Sequence, residues 1–401
     1  MTDDRRPQAR TAPRVLKIAM NGVTGRMGLR QHLLRSILPI RDEGGLQLAD
    51  GSRVQLEPVL VGRNEAKLAE LAERHKISAW TTDVDEVLAD PSVDVFFDAA
   101  LTTLRYDLLR RAIGAGKHVF TEKPTADTLD QAVDLARLAR GAGITAGVVH
   151  DKVYLPGLIK LRRLVEEGFF GRMLSLRGEF GYWVFDGTTQ PAQRPSWNYR
   201  AEDGGGIVTD MFCHWNYVLE NVIGPVRSVT AKAVTHLPER RDEQGRPYAA
   251  TADDAAYAIF ECETPDGDRV IAQINSSWTV RVHRDELVEF QVDGTAGSAV
   301  AGLHRCVAQQ RSQTPMPVWN PDLAPDGSKD QDFRAQWLEV PANARLDNGF
   351  RVQWEEFLRD LLAGRPHRYD LLSAARGVQL AQLGLASSAQ RRTLDVPELA
   401  L

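Results

Sequence analysis

Strand and helix patterns alternate through the first 150 residues, and this alternation constrains the fold more than any other feature. Val15–Met20 is an apolar run of strand length, and apolar residues at helical spacing follow at Leu29, Leu33 and Leu34. Further apolar runs, each separated from the next by a helical pattern, lie at 58–62, 93–99, 117–121 and 144–149. Strands that alternate with helices in this way predict an α/β fold with a doubly wound parallel sheet.

Three glycines, Gly22, Gly25 and Gly28, lie between the first strand and its helix. Glycine lets the backbone turn sharply and approach a pyrophosphate, and a helix N-terminus adds N–H groups and a positive dipole. The pattern therefore predicts a dinucleotide site, with a plain strand–helix turn as the structural alternative. The residues of this turn that we expect to contact a cofactor are Gly22, Thr24, Gly25, Arg26 and Met27.

The end of the second strand is expected to meet the adenosine ribose of such a cofactor. An Asp or Glu there would bind the 2′-hydroxyl of NAD, whereas an Arg accommodates the 2′-phosphate of NADP. Arg63 and Asn64 occupy this place, with Lys67 one turn later. These residues favour NADP, but Arg63 could equally stack on adenine, which NAD also carries. The sequence therefore leaves NAD and NADP as alternatives.

Residues 42–56 form an apparent insertion between the first helix and the second strand. Apolar pairs on either side of Asp50 and Gly51 predict a small β-hairpin with an Asp-Gly turn. No function follows from this segment.

The pattern changes after residue 150. Stretches in which apolar and polar residues alternate lie at 172–185, 226–236, 255–263, 269–278 and 286–292. Such stretches predict a large open sheet that is mostly antiparallel and has one face in water. We therefore expect a disordered tail at 1–14, a dinucleotide-binding domain at 15–149 and a second domain at 150–401.

The strand at 117–121 runs into Glu122, Lys123 and Pro124. Proline cannot donate to a sheet ladder, so the strand has to end before it. Lys123 is therefore expected at the carboxyl end of a strand, which is where ligands bind in open α/β sheets. The alternative is an ordinary surface Glu-Lys pair.

A second stretch of interest begins with Gly204-Gly205-Gly206 and continues into a helix that carries Asp210 and His214. Residues four apart share one helix face, so a carboxylate there can orient the imidazole and tune its pKa. That arrangement suits a general acid or base. The alternative is a solvated pair or a helix-capping aspartate. Metal binding would need further ligands, and the sequence indicates none, so we predict no metal site.

Other side chains between the two stretches could bind a substrate. His150 and Tyr182 are further proton-transfer candidates, and Trp197 could form an aromatic wall of a substrate pocket. Lys152, Arg194 and Arg200 could hold an anionic substituent, or they could be surface charges.

These motifs together resemble the Gfo/Idh/MocA oxidoreductases. The resemblance covers 15–396 and rests on the glycine turn, on Glu122-Lys123-Pro124, and on the triple glycine before Asp210 and His214. It implies a Rossmann domain at 15–149, a substrate-binding and oligomerisation domain at 150–401, and a homodimer or homotetramer. It also implies that Lys123, Asp210 and His214 are catalytic and that they bind the substrate.

The same resemblance implies cofactor contacts at Ala100, Thr102, Glu122 and Lys123. Two stretches depart from the family pattern. The loop at 100–105 reads Ala-Leu-Thr-Thr-Leu-Arg where the family often has Thr-Pro-Asn and a histidine. The junction at 150–152 reads His-Asp-Lys where the family often has Asn-Tyr-Arg.

The activity that the resemblance implies is NAD(P)-dependent hydride transfer at a secondary alcohol of a sugar, glycoside or cyclitol. In this hypothesis His214 removes the hydroxyl proton, Lys123 stabilises the alkoxide, and Asp210 orients the proton-transfer group. A second hypothesis is a glycoside hydrolase that retains NAD and acts by transient oxidation, elimination, water addition and re-reduction. A third is a non-catalytic dinucleotide sensor.

Composition narrows the setting. A net charge of −5 over 401 residues gives no sign of nucleic acid or an anionic membrane as partner. No apolar run approaches the roughly 20 residues of a membrane span. The three cysteines are scattered, which fits a reducing compartment, and the polar N-terminus lacks a signal core. We therefore expect a cytoplasmic protein, and the resemblance implies that its partner is a carbohydrate substrate.

Overall fold

The computed structural model of the chain describes residues 14–316, 332–343 and 348–401. The predicted tail lies outside the described residues except for Arg14, which begins the first strand.

The chain forms two compact units. Unit 1 contains the described residues up to Glu122 together with 137–149 and 350–370, and unit 2 contains 123–136, the described residues of 150–349, and 371–401. The predicted boundary at 149/150 is thus one of several places where the chain passes between units. Residues 123–136 belong to unit 2 and residues 350–370 to unit 1, which differs from the two continuous domains that we expected.

Unit 1 is built on a parallel sheet in which β4-β3-β1-β5-β6-β7 are successive neighbours, and β2 joins β3 antiparallel. This order and its crossovers confirm the predicted doubly wound sheet. The strands are β1 (Arg14–Asn21), β2 (Leu46–Gln47), β3 (Arg53–Val61), β4 (Ala79–Thr81), β5 (Val95–Asp98), β6 (His118–Thr121) and β7 (Ala146–Val148). A π-type helical segment (Gly28–Ile37) leads into α1 (Leu38–Asp42), followed by α2 (Glu65–His75), α3 (Val84–Ala89), α4 (Thr102–Gly114) and α5 (Leu129–Ala142).

The helix α8 (Gly349–Leu362) explains why residues 350–370 belong to unit 1. Trp354 and Phe357 are fully buried, and their rings pack against Phe120 of β6 at 4.5 and 4.7 Å between centroids. Burying a large apolar side chain contributes about 1.5–3 kcal/mol. Helix α8 therefore completes the core of the first sheet, which local sequence patterns could not reveal.

The predicted hairpin at 42–56 is present. β2 pairs with the start of β3, and Asp50 Oδ1 accepts a hydrogen bond from the Ser52 N–H at 2.9 Å, which closes the turn. One feature differs from the expectation. The second hairpin strand and the second strand of the parallel sheet are a single element, β3, because Leu56 is buried and the pairing with β1 continues from 53–54 to Val61.

Unit 2 contains a large sheet that is mostly antiparallel, as predicted. Within the described residues its order is β17-β16-β15-β14-β8-β13-β12-β9-β18, and only β8 and β13 pair in parallel. Its strands are β8 (Met173–Gly181), β9 (Val226–Val234), β12 (Ala255–Glu263), β13 (Arg269–Ser277), β14 (Val288–Gly294), β15 (Gly297–Gly302), β16 (Cys306–Gln310), β17 (Leu338–Glu339) and β18 (Leu394–Asp395). A separate ribbon joins β10 (Glu239–Arg241) to β11 (Pro247–Ala249), and the other helices of the unit are α6 (Pro156–Glu166), α7 (Ile207–Val222) and α9 (Leu371–Gln390).

Helix α7 is buried along most of its length. Trp215 packs against Phe290 of β14, and its indole N–H donates to Ser276 Oγ of β13 at 2.9 Å. Because both sides of the helix are packed, the polar residues Asp210 and His214 are held in fixed positions.

Candidate active site

The glycine turn of unit 1 has the geometry that a dinucleotide needs. Gly22 has φ of +78°, and a Cβ on it would lie 2.6 Å from the carbonyl carbon of Ala99. A Cβ on Gly28 would lie 2.5 Å from the Gly22 carbonyl oxygen. A larger residue at either position would clash with the backbone of the turn or of the loop after β5, so the glycines permit this close cradle of backbone, which is typical of dinucleotide sites. Thr24 and Met27 are partly exposed and Arg26 is exposed in the same turn.

An open pocket of about 660 Å³ lies at the end of β3. Its lining residues are Arg63, Asn64, Glu65, Ala66, Ala69 and Trp80. Asn64 Oδ1 caps α2 by accepting the Lys67 N–H at 3.0 Å, and Lys67 Nζ donates to the Thr24 carbonyl at 2.6 Å. Asn64, one of the two residues predicted to contact the ribose, therefore also caps α2, while Arg63, the other, is exposed at the pocket wall.

A buried network that sequence reasoning missed supports the loop after β5. Asp98 is fully buried and accepts hydrogen bonds from Asn21 Nδ2 at 2.7 Å and from Arg105 Nε at 2.8 Å. Arg105 Nη2 also donates to the Ala100 carbonyl at 2.6 Å. The network ties the residue before Gly22 to the loop that carries Ala100 and Thr102. The one sequence feature that could have indicated this network is the loop at 100–105, where Arg105 is part of a stretch that departs from the family pattern.

Glu122 directly follows β6 and is buried. Its Oε1 bonds to His32 Nε2 at 2.8 Å, and the Trp354 indole N–H donates to His32 Nδ1 at 3.0 Å. An indole is only a donor, so His32 carries its proton on Nε2 and donates to the carboxylate. This pairing is structural, and the cofactor contact of Glu122 stays a prediction.

Lys123 follows β6 and is the first residue of unit 2, where its side chain pairs with Asp210 of α7. Its Nζ donates to Asp210 Oδ1 at 2.6 Å and to the Asp210 carbonyl at 3.0 Å. Arg194 Nη1 approaches Asp210 Oδ2 at 3.3 Å, and Arg194 Nη2 donates to the Tyr182 hydroxyl at 3.2 Å. Burial alone would raise the pKa of Asp210, but the charges of Lys123 and Arg194 outweigh it and hold that pKa well below its usual range. Asp210 is therefore ionised.

The expectation that Asp210 orients His214 is wrong. Both carboxylate oxygens of Asp210 face cations, and His214 Nδ1 bonds instead to the Tyr217 hydroxyl at 2.5 Å. The Tyr217 hydroxyl also lies 3.4 Å from Asp151 Oδ1. Sequence reasoning missed Tyr217 and Asp151. The three-residue spacing between His214 and Tyr217, which also places two side chains on one helix face, was the signal for the tyrosine.

The surroundings of His214 keep it neutral. It is 5% exposed. Burial, and then the charges of Lys123 and Lys152 and the ring of His150, lower the pKa of His214 well below its ordinary value of 6.5. Burial and the nearby Asp151 carboxylate raise the pKa of the Tyr217 hydroxyl well above 10.0. The imidazole is therefore free to accept a proton at neutral pH, and the tyrosine stays a neutral hydroxyl.

The other predicted substrate residues divide into two groups. His150 stacks on Tyr217 at 4.0 Å, Lys152 Nζ donates to Asp151 Oδ2 at 2.8 Å, and Tyr182 reaches Asp210 through Arg194. These three belong to the cluster around α7.

Arg200 and Trp197 do not belong to it. Arg200 stacks over Tyr248 at 4.8 Å and lies 3.9 Å from Asp203, and Trp197 is 45% exposed on a short 3₁₀ turn. Arg194, rather than Arg200, is the arginine that the fold brings to Asp210 because its guanidinium stacks on Trp278 at 4.2 Å.

Among the residues that the structure describes, no group of three or more His, Cys, Asp or Glu side chains could hold a metal ion. None of the helices in these parts of the chain is long and apolar enough to cross a membrane. The three cysteines are free and buried.

One doubly wound unit with a glycine turn, and a second unit in which helix α7 carries His214 and an Asp210 paired with Lys123, are typical of a class of nicotinamide-dependent oxidoreductases. The family comparison agrees. Residues 16–150 match the oxidoreductase family with an NAD-binding Rossmann fold, and residues 158–300 match the GFO/IDH/MocA C-terminal domain. The chain belongs to the Gfo/Idh/MocA family.

Curated relatives include sugar dehydrogenases. The chain is 70% identical over 391 residues to a D-xylose dehydrogenase of Paenarthrobacter nicotinovorans, covering 98% of this chain and 100% of the relative. It is 26% identical over 262 residues to a levoglucosan dehydrogenase of Pseudarthrobacter phenanthrenivorans, covering 62% and 65%. A solved levoglucosan dehydrogenase in complex with NADH and levoglucosan has a TM-score of 0.78 at 19% identity, covering 96% of this chain and 100% of that one, which shows the shared fold.

These matches define the activity at the level of the class. The protein is an NAD(P)-dependent sugar oxidoreductase that binds a nicotinamide dinucleotide and acts on a carbohydrate. The glycoside hydrolase and the sensor, our two other hypotheses, are not favoured.

Proposed function

We propose that this protein oxidises D-xylose at C1, with His214 as the base and Lys123 as the group that stabilises the alkoxide. The observation that carries the substrate assignment is the 70% identity to a D-xylose dehydrogenase along that relative's entire length. C1 is the favoured carbon because the ring oxygen stabilises the electron-poor centre that remains as hydride leaves. The product would be a lactone.

Support for the base comes from the state of His214. A general base must be unprotonated at the working pH, and burial among cationic groups gives His214 that state. Among the described residues the hydrogen bonds of its ring involve Nδ1, so Nε2 remains for the substrate hydroxyl. In this proposal Nε2 takes the C1 hydroxyl proton while the C1 hydride leaves.

Support for Lys123 comes from its fixed charge. Its ammonium group donates to two oxygens of Asp210, which hold the charge of the lysine in place. A preorganised donor of this kind stabilises charge that develops in the transition state. Arg194 holds the second oxygen of Asp210 and so keeps the carboxylate turned towards the lysine. Asp210 thus serves Lys123 instead of His214.

The cradle of Gly22 and Gly28 would hold the pyrophosphate of the cofactor, and the bound nicotinamide supplies the hydride acceptor. We infer a preference for NADP, because Arg63 is an exposed cation on the wall of the pocket at the end of β3, and β3 is followed by Arg63 and Asn64 instead of a carboxylate. An Arg63→Ala variant should raise KM for NADP about tenfold and leave KM for NAD within about twofold. Equal changes for both cofactors would contradict the inference.

Initial rates with a panel of aldoses, cyclitols and aryl glycosides, each with NAD and with NADP, test the proposed activity. D-xylose should give the highest kcat/KM, with reduced cofactor accumulating in proportion to the sugar consumed. Lys123→Met should abolish that reduction while the protein still binds the cofactor. Lys76→Met, which removes an exposed lysine that follows α2, is the matched control. Aglycone release without accumulation of reduced cofactor would instead favour the hydrolase hypothesis.

We also infer a homo-oligomer that forms through the open face of the unit 2 sheet. Tyr257 and Ile259 of β12 and Ile271 of β13 are 43%, 47% and 44% exposed on neighbouring strands. Adjacent apolar side chains exposed on a sheet are typical of an interaction surface. Light scattering of the purified protein should give a multiple of 44.5 kDa, and a monomer would contradict this inference.

A further inference from the structure

A continuous line of polar groups leads away from His214. Its Nδ1 lies 2.5 Å from the Tyr217 hydroxyl, which lies 3.4 Å from Asp151 Oδ1, and Asp151 Oδ2 accepts a hydrogen bond from Lys152 Nζ at 2.8 Å. The two ends of this line differ in exposure. His214 and Tyr217 are 5% and 1% exposed, whereas the side chains of Asp151 and Lys152 are 12% and 25% exposed.

The hydrogen-bonding capacity of Tyr217 limits how protons are arranged here. Its hydroxyl has one hydrogen and two lone pairs, and the backbone N–H of Lys152 donates into one of these pairs at 3.2 Å. Asp151, as a carboxylate, can only accept. If Tyr217 donates to Asp151, then His214 Nδ1–H donates to Tyr217, and every group is satisfied. This arrangement leaves the Nε2 lone pair of His214 unprotonated, as a base requires.

We propose that His214, Tyr217 and Asp151 form a proton relay, in which Asp151 receives the proton that the substrate hydroxyl gives up. The proposal rests on the proposed function, in which His214 is the base. The 3.4 Å between Tyr217 and Asp151 is long for a hydrogen bond, as catalytic hydrogen bonds often are before substrate binds.

The steps of the relay balance. The substrate O–H bond breaks as an N–H bond forms at His214 Nε2. The Nδ1–H bond of His214 breaks as an O–H bond forms at Tyr217, and the original O–H bond of Tyr217 breaks as one forms on Asp151 Oδ1. The hydride leaves C1 with its electron pair for the nicotinamide, and the C1 carbonyl forms.

The electrostatics explain why a relay is needed. His214 is buried and faces Lys123, Lys152 and the ring of His150, so an imidazolium there is unfavourable. The proton must therefore pass on, and Asp151 is the anion within reach. Because the pKa of Tyr217 is high, its hydroxyl releases one proton to Asp151 as it accepts another from His214, and it does not become a tyrosinate.

The tautomer of His214 tests the proposal without any turnover. Nitrogen-15 NMR of the full-length protein labelled at histidine, with the signal assigned by its loss in His214→Gln, should show the proton on Nδ1. A resting His214 protonated on Nε2 would overturn the relay, whichever sugar the enzyme uses.

Kinetics supply the second test. Asp151→Asn keeps the shape of the side chain and its ability to accept a hydrogen bond, but an amide cannot take up a proton. The relay predicts that this variant keeps the Nδ1–H tautomer and the KM for D-xylose while kcat falls about 100-fold. Tyr217→Phe should lower kcat similarly. It should also reduce the number of protons in flight that contribute to the solvent deuterium isotope effect from several to one. Tyr199→Phe, which removes another buried hydroxyl of unit 2, is the matched control.

The outcomes separate the two proposals. If the wild-type protein oxidises D-xylose but Asp151→Asn keeps its kcat, the relay is wrong and Asp151 only positions the tyrosine. If His214→Gln keeps its kcat, the base assignment in the proposed function is wrong, and the relay fails with it. If another sugar proves to be the substrate, the same variants are measured with that sugar and the same predictions hold.

Discussion

Two buried histidines, His32 of unit 1 and His214 of unit 2, lie in polar networks and differ in one respect. In unit 1, His32 is fully buried and both ring nitrogens are bonded, Nδ1 to Trp354 and Nε2 to Glu122. In unit 2, His214 is almost as buried, but among the described residues its ring bonds only through Nδ1, to Tyr217. A ring with both nitrogens occupied can only hold structure together, whereas a ring with one free nitrogen can do chemistry.

The largest expected effect is the loss of catalysis when His214 is replaced. His214→Gln removes the base but keeps a polar side chain, so kcat for sugar oxidation should fall about 100- to 10,000-fold. The unfolding midpoint in urea should change little, since His214 contributes one neutral hydrogen bond. Steady-state rates and urea unfolding of the same preparation check both parts. A kcat within tenfold of wild type would show that the free nitrogen is not the base.

His32→Leu should show the opposite pattern. It leaves Glu122 without its imidazole donor and Trp354 without its acceptor, so the free energy of unfolding should fall by about 3 kcal/mol. The kcat of the protein that remains folded should fall far less than that of His214→Gln. A large loss of kcat without a loss of stability would mean that His32 has a catalytic role.

A smaller loss of activity is expected when Arg194, the second cation that contacts Asp210, is replaced. Arg194→Met removes one charge-assisted hydrogen bond, worth about 1.5 kcal/mol, so kcat/KM should fall roughly tenfold. Arg74→Met, at an exposed arginine of α2 that also has one carboxylate partner, serves as the matched control. If both variants lose activity equally, Arg194 has no special part in holding Asp210.

The smallest effect is a displacement of the pH profile. Protonated His214 cannot act as a base, so activity is lost as pH falls through its pKa. Because that pKa lies below 6.5, kcat/KM for sugar oxidation should stay level at pH 6.5 and fall only in more acidic buffer. An acidic limb centred at or above 6.5 would show that the surroundings of His214 do not hold it neutral.

The sequence predicted the fold well where the signal is local. The spacing of apolar residues indicated the alternation of strands and helices through 15–149, because periodicity depends on near neighbours. It did not indicate β15, whose sequence Gly-Ser-Ala-Val-Ala-Gly lacks large apolar residues and which forms by pairing with β14 and β16. Nor did it indicate that 350–370 would join the first unit, which depends on the packing of Trp354.

The candidate site followed the same rule. Lys123, Asp210 and His214 were identifiable from short motifs, but their partners were not. Asp210 pairs with Lys123 across 87 residues and with Arg194 across 16, and Tyr217 meets Asp151 across 66. Helix spacing shows which residues share a face, but partners brought in by the tertiary fold decide which of them bond.

Transfer of deuterium from D-xylose labelled at C1 tests the central claim most directly. The purified enzyme would be mixed with that sugar and oxidised cofactor, and the reduced cofactor analysed by mass spectrometry. The account predicts that each reduced nicotinamide carries one deuterium from C1 and that His214→Gln forms it far more slowly. Reduced cofactor without deuterium, or no reduction with D-xylose, would contradict hydride transfer from C1.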